Sequence, residues 1–287
     1  MTQTATTQGG VPVVIPDSAS ILDPSAIDRL IHDPGEAPQI PGPPTCVVEL
    51  PAGVQDTIGA IHTTAVVREL TGEDEEDMFR VDKAGKPILQ NEIALMDLVL
   101  SRCTVSLGST GRPVTQMEIE AALIGDREAL MIGIRRATYG DSLEIPIMCW
   151  SCKTELVADI DLVEDIKVRK LADPTQRTIE VTLRNGDIAV VRFLNGLDQR
   201  ALQDTEKVKT LTEANAVVLN SCVLRIDDKE VTPAQMKKLG LGDRNKILKA
   251  LENAQPGPQL LGVKVPCSTC DVENIVNIGM AHLLQGP

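Results

Sequence analysis

The chain has 287 residues, 43% of them apolar, with 28 Lys and Arg against 41 Asp and Glu, a formal charge of −13. That length holds two modest domains with hydrophobic cores, and that charge repels a phosphate backbone, which argues against nucleic acid as a partner. Phe79, Tyr139, Trp150 and Phe193 are the only aromatic residues, too few for a platform that stacks bases or sugars, and no run reaches the roughly 18 to 20 apolar residues of a membrane helix.

Residues 1–45 hold eight of the 18 prolines and a net charge of −4. They cannot bury a core alone and are expected to form an extended N-terminal arm, either disordered or laid across a neighbouring subunit. Ile21 to Ile31 could make one short amphipathic helix. The start lacks the basic-then-apolar pattern of a secretory signal, so a chain made and kept in the cytoplasm until assembled is expected.

From Cys46 the pattern is globular. Strands are expected at Cys46 to Leu50 and Thr63 to Leu70, rich in β-branched residues. Thr71 then caps a helix, with Asp74 placed as in a capping box and the acids Glu73 to Asp77 read as its solvated, dipole-favoured start. A second helix is expected over Ile88 to Leu100, a strand over Cys103 to Leu107, an apolar segment over Met117 to Ile124, and a helix capped by Asp126 that ends near Gly140.

The stretch 159–262 reads as an insertion. Thr178 to Phe193 alternates apolar and polar residues around Asn185-Gly186, a strong hairpin signal, with Arg184 and Asp187 expected to face each other across the turn. Helices follow at Leu197 to Lys209 and Thr212 to Leu224. Thr232-Pro233 starts another, and Asp243 the last. Lys237, Lys238, Arg244, Lys246 and Lys249 form a basic cluster, read as a solvated face or a docking surface for an acidic partner.

Four of the seven cysteines form two CxxC pairs, Cys149/Cys152 and Cys267/Cys270, with 114 residues between them. The gap is far longer than that of a continuous zinc ribbon. An internal pseudo-repeat offsets this: Ile147 to Ile160 superposes on Val265 to Ile278 at a shift of 118, each copy reading strand, knuckle, strand. Two such hairpins would pack as halves of one ribbon, so the four cysteines are expected to hold one structural zinc ion. Four thiolates leave no open coordination position for water or substrate. A thioredoxin-like redox pair lacks the strand-to-helix context here, while an iron–sulfur cluster accepts the same four ligands. Cys46, Cys103 and Cys222 are expected to be small buried hydrophobes. His62 is placed on a strand surface, His32 in the arm, and His282 after the second knuckle as an outside possibility for a fifth ligand. The chain carries no HExxH, GxxxxGK[ST], GxGxxG or GxSxG motif, and no enzyme activity is expected.

The fold class expected is therefore α+β, a mixed helical and strand core with a discontinuous four-cysteine zinc ribbon and an inserted hairpin-plus-helices module. Its divisions are the arm at 1–45, a core domain with the first knuckle at 46–158, the module at 159–262, and the second knuckle at 263–287.

Gly125-Asp-Arg-Glu-Ala-Leu-Met-Ile-Gly-Ile-Arg-Arg-Ala-Thr-Tyr-Gly140, the element Val66 to Glu75 and the two CxxC pairs together resemble the baseplate hub and tail-assembly proteins of T-even-like contractile phages and phage-like injection systems. The resemblance covers roughly 46–158 and 263–287, without the arm and much of the insertion. It implies a structural subunit of a contractile tail baseplate, made in the host cytoplasm and retained in the virion or injection particle. Its implied partners are other baseplate, hub or tube proteins in a symmetric assembly. It further implies that Asp126 and Arg127 cap and brace the signature helix and that Arg135 and Tyr139 pack toward the ribbon. An assembly chaperone that leaves the particle, and a zinc-ribbon adaptor in nucleic-acid handling, remain alternatives.

Overall fold

The computed structural model describes residues 41–286 except 83–87, 109–110 and 205–207. The Ile21 to Ile31 helix, His32 and nearly all of the arm lie outside the described residues.

Strand β1 (Thr45–Gln55) pairs antiparallel with β2 (Ile61–Arg68), and β2 with β3 (Thr104–Leu107). The register of β1 and β2 shifts between Glu49 and Val54, and Gly53 sits in that bulge at φ 81°, a backbone geometry only glycine adopts cheaply. The bulge buries Leu50, Ala52 and Val54 on the side facing α4 (Ile124–Tyr139). That helix is apolar nearly all round, from Ala129 through Ile134, and so belongs in the middle of the molecule. Gly133 lets β1 approach: a Cβ there would stand 2.2 Å from Val48 Cγ2.

Helices α1 (Gly72–Asp82), α2 (Ile88–Cys103) and α3 (Gln116–Ala121) flank the sheet. Thr115 and Glu118 form a complete capping box on α3. The acidic start of α1 is only partly solvated, contrary to expectation. Asp74 is 2% exposed and accepts from Thr71 N at 2.9 Å, Arg68 at 2.6 Å and Arg102 at 2.6 Å. Desolvation raises its carboxyl, but the hydrogen bonds from Arg68, Thr71 and Arg102 outweigh it and hold the group far below the usual range. A buried acid needs such partners.

Two similar hairpins follow. β4 (Ser142–Met148) pairs with β5 (Glu155–Asp161), and β12 (Val263–Pro266) with β13 (Glu273–Val276), before α9 (Met280–Leu284). Between them lie β6 (Val168–Arg169) and β11 (Gly257–Pro258), paired antiparallel, which bracket a four-stranded sheet and four helices. The sheet runs in the order β10 (Lys229–Glu230), β9 (Val223–Ile226), β8 (Ile188–Arg192), β7 (Thr178–Thr182). The helices are α5 (Gly196–Leu202), α6 (Leu211–Cys222), α7 (Pro233–Lys238) and α8 (Leu241–Ala254).

The architecture is mixed α+β with small sheets, as expected. Residues Pro43–Pro287 make one compact unit containing two hydrophobic clusters. One joins β1, β2, α2, α4 and the two ribbon hairpins, and the other is built on Val181, Val191, Phe193, Leu219, Ile247 and Leu251. Ala52 and Leu123 from the first region belong to the second cluster. Cys103 and Cys222 are buried as expected, and Cys46 is half-buried. No helix among the described residues is long and apolar enough to cross a membrane.

Four local expectations fail, the first being the helix expected over Leu197 to Lys209, which ends at Leu202. The β7–β8 turn places Leu183 rather than Arg184 opposite Asp187, with Leu183 N donating to Asp187 O at 2.7 Å and Gly186 at φ 98°. Arg184 instead donates its N–H to Asp243 at 2.9 Å. Asp243 is thereby drawn from helix capping, and α8 begins after Gly240 with no side-chain cap. Finally, α6 ends at Cys222 and the chain turns extended as β9, because Val223 completes the register against Val191.

Candidate metal centre

Cys149 and Cys152 lie in the turn that joins β4 to β5, and Cys267 and Cys270 in the turn that joins β12 to β13. The two turns match bond for bond. Cys149 N donates to Thr154 O at 2.9 Å and Lys153 N to Cys149 O at 3.0 Å, while Cys267 N donates to Val272 O at 3.0 Å and Asp271 N to Cys267 O at 2.9 Å. Lys153 and Asp271 adopt left-handed φ values of 62° and 56°, which turns the chain back between paired strands. The strand register repeats as well: Met148 pairs with Glu155 as Pro266 pairs with Glu273, and Ile145 with Ala158 as Val263 with Val276. All these correspondences fall at the shift of 118 residues seen in the sequence.

The hairpins bring the four sulfurs together. Cys149 Sγ lies 3.7 Å from Cys270 Sγ, Cys152 Sγ lies 3.7 Å from Cys267 Sγ, and all four fall within 4.8 Å of one another. Four thiolates arranged tetrahedrally about 2.3 Å from one ion stand about 3.8 Å apart. The cluster therefore has the size of a single-ion site. The four cysteines are close enough to hold a metal ion.

The electrostatics agree. The Thr154 hydroxyl and amide pull the Cys152 thiol down to about 6, and the amides of Cys152 and Ser151 lower Cys149. Cys270 goes the other way, to about 12, because desolvation and the three neighbouring sulfurs outweigh the Val272 amide that favours its thiolate. Four thiolates this close cannot all ionise without a cation among them.

Two further residues lock the halves together. Trp150 donates its amide N–H to Asn274 Oδ1 at 3.2 Å and its indole N–H to Glu273 O at 3.1 Å. Asn274 is buried and also donates to Val272 O at 3.3 Å. The repeat itself held the clue, since Asn274 stands where the first hairpin has the apolar Leu156.

The other singled-out residues lie elsewhere. Asp126 does not cap α4: its N-cap is Leu123, with no side-chain bond, and Asp126 Oδ1 accepts from the Ala52 and Gly53 amides of the β1 bulge at 2.8 and 3.2 Å. Arg127 does brace the helix. It is fully buried and donates to Asp97 at 2.6 Å, Ile119 O at 2.9 Å and Gln199 at 3.2 Å. Arg135 lies 4.9 Å from the Tyr139 ring centroid and donates to Ser142 O at 3.2 Å, so this pair touches the foot of the β4–β5 hairpin, a full strand away from the cysteines. His62 is largely buried rather than on the strand surface, 2.9 Å from Asp56. His282 caps α9, its Nδ1 accepting from Gly279 N at 3.0 Å.

A family model described as T4 bacteriophage base plate protein matches residues 44–285. The match takes in the module 159–262, which the resemblance drawn from the sequence had largely left out. No curated protein and no solved structure matches.

Proposed function

The chain belongs to the T4 bacteriophage base plate protein family, and from that premise we propose that it is a zinc-stabilised structural subunit of a contractile tail baseplate, seated at or beside the hub. It acts by assembly with other baseplate, hub or tube proteins and catalyses no reaction. The observation that carries this reading is the family match over 44–285.

The four-cysteine centre supports the structural part of the reading. A closed set of four thiolates around zinc offers no position to substrate. The ion's contribution is to join residues 149 and 152 to residues 267 and 270, and through them both ends of the intervening module. A structural zinc of this kind contributes on the order of 10 kcal/mol to folding. Elemental mass spectrometry of the purified chain is expected to find one zinc per chain, and the Cys149→Ser, Cys267→Ser double variant to lose both metal and cooperative unfolding. A metal-free wild type that melts as a folded protein overturns the zinc assignment.

The assembly role is tested on particles. Quantitative mass spectrometry of purified tails is expected to find the chain at a fixed ratio to other baseplate proteins. Presence in assembling extracts together with absence from finished particles overturns the reading in favour of an assembly chaperone.

A further inference from the structure

The two ribbon hairpins differ at their outer edges. In an antiparallel pair, residues that exchange ladder bonds alternate with residues whose N–H and C=O point away from the partner strand. Cys149 N donates to Thr154 O, so Ile147–Leu156 and Ile145–Ala158 are bonded pairs, while Met148–Glu155, Pro146–Val157 and Glu144–Asp159 are not. Pro146 fits this assignment, since it has no N–H to give the ladder. It also deprives the β4 edge of a donor. Glu155, Val157 and Asp159 thus turn three N–H and three C=O groups outward along β5, which pairs with β4 alone among the described residues.

On the second hairpin the equivalent edge is covered. The outward C=O of Glu273 accepts the Trp150 indole N–H at 3.1 Å. The residue 118 positions after Trp150 is Ser268, which is exposed and has no indole to return the contact to Glu155. Among the described residues no group outside the hairpin bonds the outward backbone of Glu155, Val157 or Asp159. Their side chains lie on the solvent face, since Ala158 and Ile160 turn into the core. Val157 and Met148 are each 58% exposed, beside the exposed Pro146. Glu144 and Asp159 stand at one end of this apolar group and Glu155 at the other. Glu144 and Glu155 have no ion-pair partner among the described residues, and Asp159 accepts only from the Ser142 hydroxyl at 2.6 Å.

We propose that the free edge of β5 binds an extended segment of a partner protein by strand addition, one whose alternate residues read basic, apolar, basic. Backbone bonds to Glu155, Val157 and Asp159 give the affinity, and the side chains select the partner. Its apolar residue lies beside Val157 and its two cations beside Glu155 and Asp159, the favourable cross-strand pairs. A second copy of β5 suits the edge poorly. Antiparallel pairing centred on Val157 sets Glu155 opposite Asp159 at both ends, and like charges directly opposite destabilise. The inference goes beyond the baseplate reading: it assigns a surface and the chemistry of its partner, and it holds whether or not the chain is retained in tails.

The probe is a capped synthetic peptide, Thr-Lys-Thr-Val-Thr-Lys-Thr, titrated into the isotope-labelled full chain and followed by NMR. The amides of Glu155, Val157 and Asp159 are expected to shift and to gain protection from hydrogen exchange, with weaker binding in high salt. N-methylation of the central valine, whose N–H faces β5, is expected to weaken binding by about tenfold. N-methylation of the threonines beside it, whose N–H groups face away, leaves binding unchanged. Val157→Pro removes an outward donor but no bond to β4, so it is expected to melt close to the wild type and to lose the peptide. Glu155→Lys with Asp159→Lys is expected to lose it too and to bind Thr-Glu-Thr-Val-Thr-Glu-Thr instead. Shifts that fall on other elements, binding indifferent to N-methylation of the valine, equal binding of both peptides by the wild type, or no binding overturns the proposal. A dimer of the chain that Val157→Pro abolishes assigns the edge to a second copy and overturns it as well.

Discussion

Asp126 has no exposed surface, and only one of its two carboxylate oxygens is bonded: Oδ1 takes both amides of the β1 bulge, while Oδ2 has no partner. Burial pushes its pKa up to about 6 despite those amides, and burial likewise pushes Glu128, two residues on, up to about 7 against the pull of Arg127. Both groups hold a proton more tightly folded than unfolded. Stability from this pair is therefore greatest in mild acid and is lost as pH rises through 6 and 7. Glu118 behaves in the opposite way. Its bonds from Arg112, Thr115 and Thr57 overcome desolvation and lower it to about 2, and Asp74 is lowered likewise, so their contribution is lost as pH falls below about 4. The melting temperature should accordingly be highest near pH 4 and decline toward neutral pH, and Asp126→Asn with Glu128→Gln should flatten that decline when melts are recorded across pH. Asp126→Ala strips the acceptor from two buried amides, each costing about 1–3 kcal/mol when left unpaired. Urea denaturation should show the alanine variant less stable than the wild type, and an unchanged midpoint would deny the carboxylate its role as anchor of the bulge.

At the scale of elements, the start of α4 and the strand β11 cross at two glycines. A Cβ on Gly125 would fall 2.0 Å from Pro256 O, and Gly257, at φ 141°, has its own Cβ position only 2.6 Å from Gly125 Cα. The crossing sets the base of the module directly on the central helix. Gly125→Ala forces the two backbones apart, and overpacking of this kind costs roughly 1–3 kcal/mol or more. Calorimetry should record a lower melting temperature with the metal content unchanged, because the cysteines lie on other elements. The β7–β8 hairpin shows how an element can be recognised while its detail is missed. Alternation from Thr178 to Phe193 identifies both strands, but the turn's register depends on Arg184 N finding Asp243 on α8, a residue 59 positions away. The strand β9 was hidden for a similar reason. Val223 to Ile226 continues an apolar run that a helix could also use, and only the free edge of β8 decides between them.

For the whole molecule, the ribbon is a long-range connection, linking sequence positions 115 and 121 residues apart at 3.7 Å between sulfurs. A cross-link of that span restricts the unfolded chain strongly, and it ties the last strands to α4 through the shared core of Leu143, Val263, Ile278 and Leu283. The sequence by itself determined what repeats and what alternates: the four cysteines, the two matching hairpins, the helix start at Thr232-Pro233, the bulk of the helices, and the family resemblance. These are local patterns, and local backbone chemistry suffices to read them. Only the tertiary structure decided where the buried charges go. Whether Asp74 is solvated or clasped by two arginines, whether Asp126 caps its own helix or holds a distant bulge, and whether Asp243 serves α8 or a hairpin all depend on which donor arrives from elsewhere in the chain. A carboxylate leaving water takes the strongest donors within reach, and reach is a property of the packed fold rather than of sequence spacing.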